Sequence, residues 1–160
     1  MIMNRPCLVG FAVAAALLAG SVTLLEAGAE ARVRQGAEAK VHKVAIQVNQ
    51  NEKGVMDLAL NNAKNISDYY KAKGEDVTIE IVAFGPGLQM LRAESPVKDR
   101  IAVLSLENPN VTFAACAVTQ NSMSRADGKP ITLLSEAKIT PSGVVRLMEL
   151  QSQGYAYIRT

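Results

Sequence analysis

The sequence predicts an α/β fold in which a mainly parallel, five-stranded sheet is covered by helices on both faces. Short apolar segments rich in β-branched residues alternate with longer segments whose apolar residues recur every three or four positions. Gly, Pro and Asn separate these segments, as expected of turns. The strand segments are mostly apolar on both faces, which is typical of strands buried between two helical layers. Right-handed crossovers leave few topologies, and we favour a flavodoxin-like one.

Length and composition exclude several classes of protein. The chain has 160 residues, 49% of them hydrophobic and 20% charged, which suits one ordinary domain with its own core rather than a disordered segment. A net charge of +2 is too small for a nucleic-acid-binding surface. One His and two Cys cannot supply the four ligands of a structural zinc site. We therefore expect no nucleic-acid partner, no metal and no cofactor.

The first thirty-one residues have the pattern of a secretory signal peptide. Arg5 is the only charge before residues 8–25, which contain neither a charge nor a proline. Small residues with A-x-A spacing follow, and they predict cleavage after Ala29 or Ala31 and a periplasmic or secreted protein. The alternative is an uncleaved membrane anchor, because the apolar run approaches the length that spans ~30 Å of hydrocarbon. Cleavage removes Cys7 and leaves Cys116 as the exported chain's thiol.

The first half of the folded region begins after a linker. Residues 32–42 are polar and lack a clear period, so they predict a linker that ends at a solvated His42. Residues 43–49 are short and β-branched, which predicts the first strand. Apolar residues then recur every three or four positions from Glu52, and this pattern predicts an amphipathic helix that ends near Gly74.

A second strand and two helices are predicted next. Residues 77–84 read as a strand, and the sequence Gly85-Pro86-Gly87 after it predicts a tight loop followed by a short helix. The pair Ser95-Pro96 suits the N-cap and first position of another helix. The sequence Asn108-Pro109-Asn110 ends that helix.

The second half continues the alternation. Residues 111–115 predict a third strand that leads directly into Cys116, and the polar stretch after it is compatible with the start of a helix. Residues 137–140 predict a fourth strand. Pro141 then suits the first position of a helix that ends at Gly154, and residues 155–158 predict the last strand. One domain over residues 43–160 accommodates all of these elements.

The candidate site follows from this architecture. In parallel α/β sheets the usable crevice lies at the carboxyl ends of the strands. Cys116 ends a strand and precedes a predicted helix, whose N-terminus would stabilise a thiolate and lower the pKa of the thiol. The other candidates are the residues that follow the first, second and fourth strands: Asn49, Gln50, Phe84, Gly85, Pro86, Gly87, Thr140, Pro141, Ser142 and Gly143.

Three motifs in this order resemble a known family. They are FGPG after the second strand, VTFAAC ending in Cys116, and the closing run ITPSGVVRLMELQSQGYAYI. Together they resemble the DsrE/DsrF-like family of small sulfur-relay proteins over residues 43–160. The resemblance implies a flavodoxin-like fold, trimers or hexamers, and a sulfur atom carried as a persulfide on Cys116. It also implies that the FGPG and TPSG loops form the walls of the pocket, and that a sulfur donor or acceptor protein is a partner.

Two hypotheses about function remain open at this point. In the first, the protein is an exported sulfur carrier with Cys116 as the acceptor. A carrier needs one Cys, whereas a dithiol oxidoreductase needs a second one nearby, which the mature chain lacks. In the second, Cys116 only packs, and the crevice binds a small ligand or supports assembly. Arg125 and Lys138 are candidates for binding an anionic sulfur species, although surface charges of this kind are more often simply solvated.

Overall fold

The computed structural model describes residues 41–160 of the chain. The predicted signal peptide, its cleavage sites and most of the predicted linker lie outside the described residues. Within residues 41–160, no helix has both the length and the apolar character needed to cross a membrane.

The described chain forms five strands, four α-helices and one 3-10 helix. In chain order they are β1 (His42–Val48), α1 (Lys53–Lys73), β2 (Val77–Ala83), the 3-10 helix (Gly85–Leu91), α2 (Lys98–Glu107), β3 (Val111–Cys116), α3 (Ala117–Asp127), β4 (Ala137–Thr140), α4 (Gly143–Ser152) and β5 (Ala156–Arg159).

All five strands are parallel, and their order across the sheet is β4-β3-β2-β1-β5. The predicted α/β class with a flavodoxin-like sheet is therefore confirmed. As in the flavodoxin order 2-1-3-4-5, β1 has one strand on one side and three on the other. Here the single strand is the last one in the chain rather than the second.

Helices cover both faces of the sheet, but unequally. On one side, called the main face, residues of α1, the 3-10 helix and α2 pack on the strands, and Met123 of α3 joins them. On the other side, called the α4 face, Leu147 and Leu150 pack on alanine and valine side chains of β1, β2 and β3. Within the described residues, α4 is the one helix in this second layer. The position of α4 on this face follows from right-handed crossovers. The connection from β4 to β5 crosses the sheet in the opposite direction to the three connections before it, so its helix lies on the opposite face.

The edge strands differ from the prediction of strands buried on both faces. That prediction is correct for β1, β2 and β3, whose residues are mostly buried. In β4 and β5, however, every residue is exposed or half-buried, and Ile139 is 63% exposed. These strands are short and lie at the ends of the sheet, so the helices do not cover them fully.

Two predicted helix starts are wrong by about two residues. α2 begins at Lys98 rather than at Pro96, because Ser95 and Pro96 form a turn in which the hydroxyl of Ser95 accepts the N–H of Val97 at 3.3 Å. α4 begins at Gly143 rather than at Pro141, because Ser142 still has an extended backbone and serves as the N-cap. The predicted end of α1 is correct, since Gly74 caps it in a left-handed conformation.

The expectation of a solvated His42 at the end of a linker is also wrong. His42 is the first residue of β1 and its backbone N–H donates to the carbonyl of Asp76 at 2.9 Å. Its ring stacks on Tyr70 with a centroid separation of 3.9 Å, and its Nε2 lies 2.7 Å from a carboxylate oxygen of Glu75. The residue therefore anchors the start of the sheet to the end of α1.

Candidate functional site

The predicted site loops follow neighbouring strands at one edge of the sheet. Cys116 and Thr140 are paired in the register of β3 and β4. Phe84 follows β2, and its backbone N–H donates to the carbonyl of Val48 at the end of β1 at 3.2 Å. Because all strands are parallel, the carboxyl ends of four strands lie side by side in the order β4, β3, β2, β1.

Cys116 lies where two neighbouring connections leave the sheet on opposite faces. The helix that follows β3 contributes Met123 to the main face, whereas the helix that follows β4 packs on the α4 face. Such a divergence between adjacent parallel strands is the topological switch point at which open α/β sheets bind ligands. In this chain the switch point lies between Cys116 and Thr140.

Backbone N–H groups from two helices approach the sulfur of Cys116. The residue ends β3 and is the N-cap of α3, and its Sγ accepts the N–H of Thr119 at 3.5 Å. Hydrogen bonding with the backbone amides of Val118 and Gly143 also lowers the pKa of its thiol. Gly143 is the first residue of α4, so the sulfur lies at the N-termini of both helices that flank the switch point. Both ends favour negative charge.

The net effect of these contacts is to favour the thiolate. Burial raises the pKa of the Cys116 thiol, which is the largest single effect. Hydrogen bonds from the hydroxyl of Thr119 and from the amides of Gly143, Thr119 and Val118 outweigh it, so the pKa lies below the ordinary value of a thiol. The thiolate is the nucleophilic form of cysteine.

The sulfur is enclosed, and a cleft lies on each side of it. Cys116 is 4% exposed and lines neither cleft. On the side of α3 and the 3-10 helix, a cleft of about 620 Å³ is lined by Gly85, Pro86 and Thr119 among others. On the α4 face, a cleft of about 460 Å³ is lined by Thr140 and Pro141. The sulfur is therefore almost fully enclosed between the two clefts.

The FGPG and TPSG loops contribute to the surroundings of Cys116 in different ways. Gly85 and Pro86 line the first cleft, and Thr140 and Pro141 line the second. The TPSG loop also contains Ser142, which is the N-cap of α4, and Gly143, whose backbone amide acts on the sulfur of Cys116.

Phe84 and Gly143 come into close contact. An added Cβ on Gly143 would lie 2.7 Å from the Cβ of Phe84, so the start of α4 needs a residue without a side chain at this position.

Six of the ten predicted loop residues line neither cleft beside Cys116: Asn49, Gln50, Phe84, Gly87, Ser142 and Gly143. Gly87 is buried against the backbone at the end of β1 rather than in an open wall, because a Cβ there would meet the carbonyl oxygen of Val48. Asn49 and Gln50 line neither cleft, whereas Asn51 lines the one beside α3. The side-chain oxygen of Asn49 is buried without a hydrogen-bond partner among the described residues.

The two charged candidates, Lys138 and Arg125, lie at different distances from the site. Lys138 is exposed and lines the cleft on the α4 face, two positions before Thr140. Arg125 lies in the last turn of α3, at the opposite end of the helix from Cys116. Within residues 41–160, no group of three or more His, Cys, Asp and Glu side chains is placed to hold a metal ion.

Sequence reasoning missed two features of the site. Thr119 is one, although it lies three residues after Cys116, which is the spacing at which an N-cap side chain contacts a backbone N–H. The other is the pair Glu80 and Arg146, whose two N–O distances are both 2.7 Å in the cleft on the α4 face. Hydrogen bonds to Glu80 raise the pKa of Arg146. The sequence did contain a clue to this pair, because Glu80 is a charged residue within the otherwise apolar strand VTIEIVA.

Comparison with known proteins supports the fold without adding an activity. No protein-family model matches the chain, and no curated protein matches it. Among solved structures, the chain is similar to MTH1491 from Methanobacterium thermoautotrophicum, which is described as a protein of unknown function. The two are 29% identical, the match covers 74% of this chain and 99% of the other, and the TM-score is 0.63.

Proposed function

We propose that this protein is an exported sulfur carrier of the DsrE-like type, which holds one sulfane sulfur as a persulfide on Cys116. The observation that carries the proposal is the position of Sγ at the β3/β4 switch point, where it accepts N–H groups from the starts of α3 and α4. The FGPG, VTFAAC and ITPSG motifs, which resemble those of sulfur-relay proteins, support it.

The chemistry requires no cofactor and no net oxidation. The Cys116 thiolate attacks the terminal sulfur of a polysulfide or of thiosulfate, so that a new S–S bond forms while the S–S bond of the donor breaks. The electron pair of the broken bond leaves with the shortened polysulfide or with sulfite. The persulfide then passes its outer sulfur to an acceptor thiolate or to cyanide by the same exchange, and the Cys116 thiolate is regenerated.

Export is part of the proposal and has its own test. The pattern of residues 1–31 supports a cleaved leader. We expect the protein recovered from the periplasm or medium to begin at Glu30 or Arg32, as measured by intact mass. Recovery of the full-length chain in the membrane fraction would instead support the alternative of an uncleaved anchor.

We also propose that copies of the chain associate as a trimer or hexamer. The resemblance implies this, and several large apolar side chains are exposed on the single chain, including Leu106 at 86% and Met148 at 64%. Light scattering coupled to gel filtration measures the assembly, and a monomer at micromolar concentration would contradict the proposal.

The burial of Cys116 favours a second candidate function. A sulfur that is almost fully enclosed also suits a binding or assembly module in which Cys116 only packs. In that case the cleft on the α4 face, with Lys138 at its edge, is the ligand site.

Intact mass spectrometry separates the two candidates. After incubation of the reduced protein with polysulfide or thiosulfate, a carrier gains about 32 Da, the mass of one sulfur atom. Addition of cyanide then removes the sulfur as thiocyanate. The gain is lost in Cys116→Ser and retained in the matched control Cys7→Ser, which removes the other thiol of the full chain. Absence of a gain with either donor would exclude the carrier and favour the binding module.

A further inference from the structure

Thr119 connects the FGPG loop to the sulfur of Cys116. Its Oγ1 accepts the backbone N–H of Gly85 at 2.9 Å. Its own backbone N–H donates to Sγ of Cys116 at 3.5 Å. Hydrogen bonding by the side chain of Thr119 is also the largest of the effects that lower the pKa of Cys116. A hydroxyl has one hydrogen and two lone pairs, so an N–H that occupies a lone pair leaves the hydrogen available for another acceptor.

We infer that Thr119 is the positioning residue of this site: the amide of Gly85 fixes its hydroxyl so that the hydrogen of the hydroxyl is directed at the sulfur of Cys116. The use of this contact in sulfur transfer rests on the proposed function, whereas the contact itself does not. It gives the FGPG loop a specific task, which is to hold a hydroxyl of the neighbouring helix in one orientation.

The conformation of the loop supports this assignment. Gly85 has a φ of +52°, a left-handed conformation that glycine adopts without steric cost and that side-chain-bearing residues rarely adopt. Thr119 is β-branched, and a β-branched side chain on a helix has few rotamers. Glycine at position 85 therefore lets the backbone present its N–H to a hydroxyl whose side chain has few rotamers.

A positioned hydroxyl affects both directions of sulfur transfer. A hydrogen bond to an ionised acceptor is stronger than one to a neutral acceptor, so the contact stabilises the thiolate more than the thiol. The thiolate is the attacking group when sulfur is loaded. It is the leaving group when sulfur is passed on, and thiols of lower pKa leave faster.

Burial and hydrogen bonds account for the shift in the pKa of Cys116. The elements that adjoin the residue do carry charges elsewhere along their length. These charged residues are Arg125 and Asp127 at the far end of α3, Arg146 and Glu149 in α4, Lys138 in β4, and Glu80 in β2, the strand that pairs with β3.

The test is a titration of Cys116 in the full chain with Cys7→Ser. The ultraviolet absorbance of the thiolate is followed against pH for the parent, Thr119→Val, Thr119→Ser and Ser122→Ala. Thr119→Val keeps the shape of the side chain but removes the hydroxyl, and we expect it to raise the pKa of Cys116 by about one unit. Thr119→Ser restores the hydroxyl and titrates like the parent. Ser122 lines the same cleft one turn further along α3, so its loss leaves the titration unchanged.

The outcomes distinguish this inference from the proposed function. An unshifted titration in Thr119→Val overturns the role of Thr119, whatever the mass experiment gives. A shifted titration rescued by Thr119→Ser supports the role even if no donor loads sulfur, and in that case only the carrier function is excluded. If Thr119→Val does not fold, as judged by circular dichroism, Thr119→Ala replaces it, because alanine removes the hydroxyl without adding volume. The same shift is then expected.

Discussion

At the scale of single residues, Cys116 combines burial with hydrogen bonding. A cysteine buried in purely apolar surroundings has a raised pKa and is chemically inert. Here four hydrogen bonds reverse the direction of the shift, although the residue is 4% exposed. Exposure alone therefore does not identify a structural cysteine, since the atoms around the sulfur decide which protonation state is favoured.

The first prediction concerns the contact between Gly143 and Phe84. In Gly143→Ala the new methyl group would lie 2.7 Å from the Cβ of Phe84, so the start of α4 has to move. We expect the free energy of unfolding to fall by about 1–3 kcal/mol, as for other overpacked sites, and the pKa of Cys116 to rise because a donor amide shifts away. Urea unfolding and the thiolate titration measure the two effects. An unchanged pKa would show that the amide of Gly143 does not act on the sulfur.

At the scale of elements, sequence patterns predicted where strands and helices lie better than where helices begin. Strong periodicity identified α1, and β-branched runs identified the three central strands. Pro141 satisfied the local rule for a first helical residue, but the start of α4 also depends on its packing against Phe84, which no local pattern records. The role of Thr119 was missed for a similar reason, because its partner Gly85 is thirty-four residues away.

The second prediction concerns the N-cap of α3. Serine is a better N-cap than most residues, and its oxygen can accept the N–H of Thr119 as the sulfur does. We expect Cys116→Ser to unfold within about 1 kcal/mol of the parent, and Cys116→Ala to lose about 1 kcal/mol because its methyl group accepts no hydrogen bond. Urea unfolding under reducing conditions compares the three proteins. A large loss in Cys116→Ser would mean that the site requires sulfur for packing.

The third prediction concerns how α4 is attached to the sheet. Glu80 is 9% exposed, and Arg146 holds both of its carboxylate oxygens. Arg146→Leu leaves that charge unpaired, and we expect the free energy of unfolding to fall by about 3 kcal/mol. The double variant Glu80→Leu with Arg146→Leu recovers most of the loss, because no buried charge remains.

Arg100→Leu is the matched control for this pair. Its partner Asp57 is 26% exposed and Arg100 itself is 44% exposed, so the loss stays below about 1 kcal/mol. Equal losses in Arg100→Leu and Arg146→Leu would contradict a special role for the pair at Glu80.

At the scale of the whole molecule, the fold class could be predicted from the alternation of strand and helix patterns, but the unequal coverage of the sheet could not. Coverage depends on the direction of each crossover, and that direction follows from strand order. The position of the site at the carboxyl edge was predictable from the class alone. Its exact place between β3 and β4 could not be predicted, because it depends on the pairing of β5 with β1.

The fourth prediction concerns stability against pH. The pKa of Cys116 is lowered in the folded protein, so folding favours the thiolate. The resulting stabilisation is fully present above the ordinary thiol pKa of about 8.5 and is lost as pH falls through the lower, folded value. We therefore expect the difference in unfolding free energy between the parent and Cys116→Ser to shift in favour of the parent as pH rises through this range. Urea unfolding at several pH values tests this, and an opposite trend would mean that burial dominates.

The pairing of β5 with β1 joins the two ends of the described chain. Strand β1 therefore keeps one row of unsatisfied amides and carbonyls until β5 has been synthesised. A nascent chain stalled before Ala156 would present that row to any other extended polypeptide nearby. A chain that lacks β5 is therefore expected to aggregate more readily than one in which this pairing is complete.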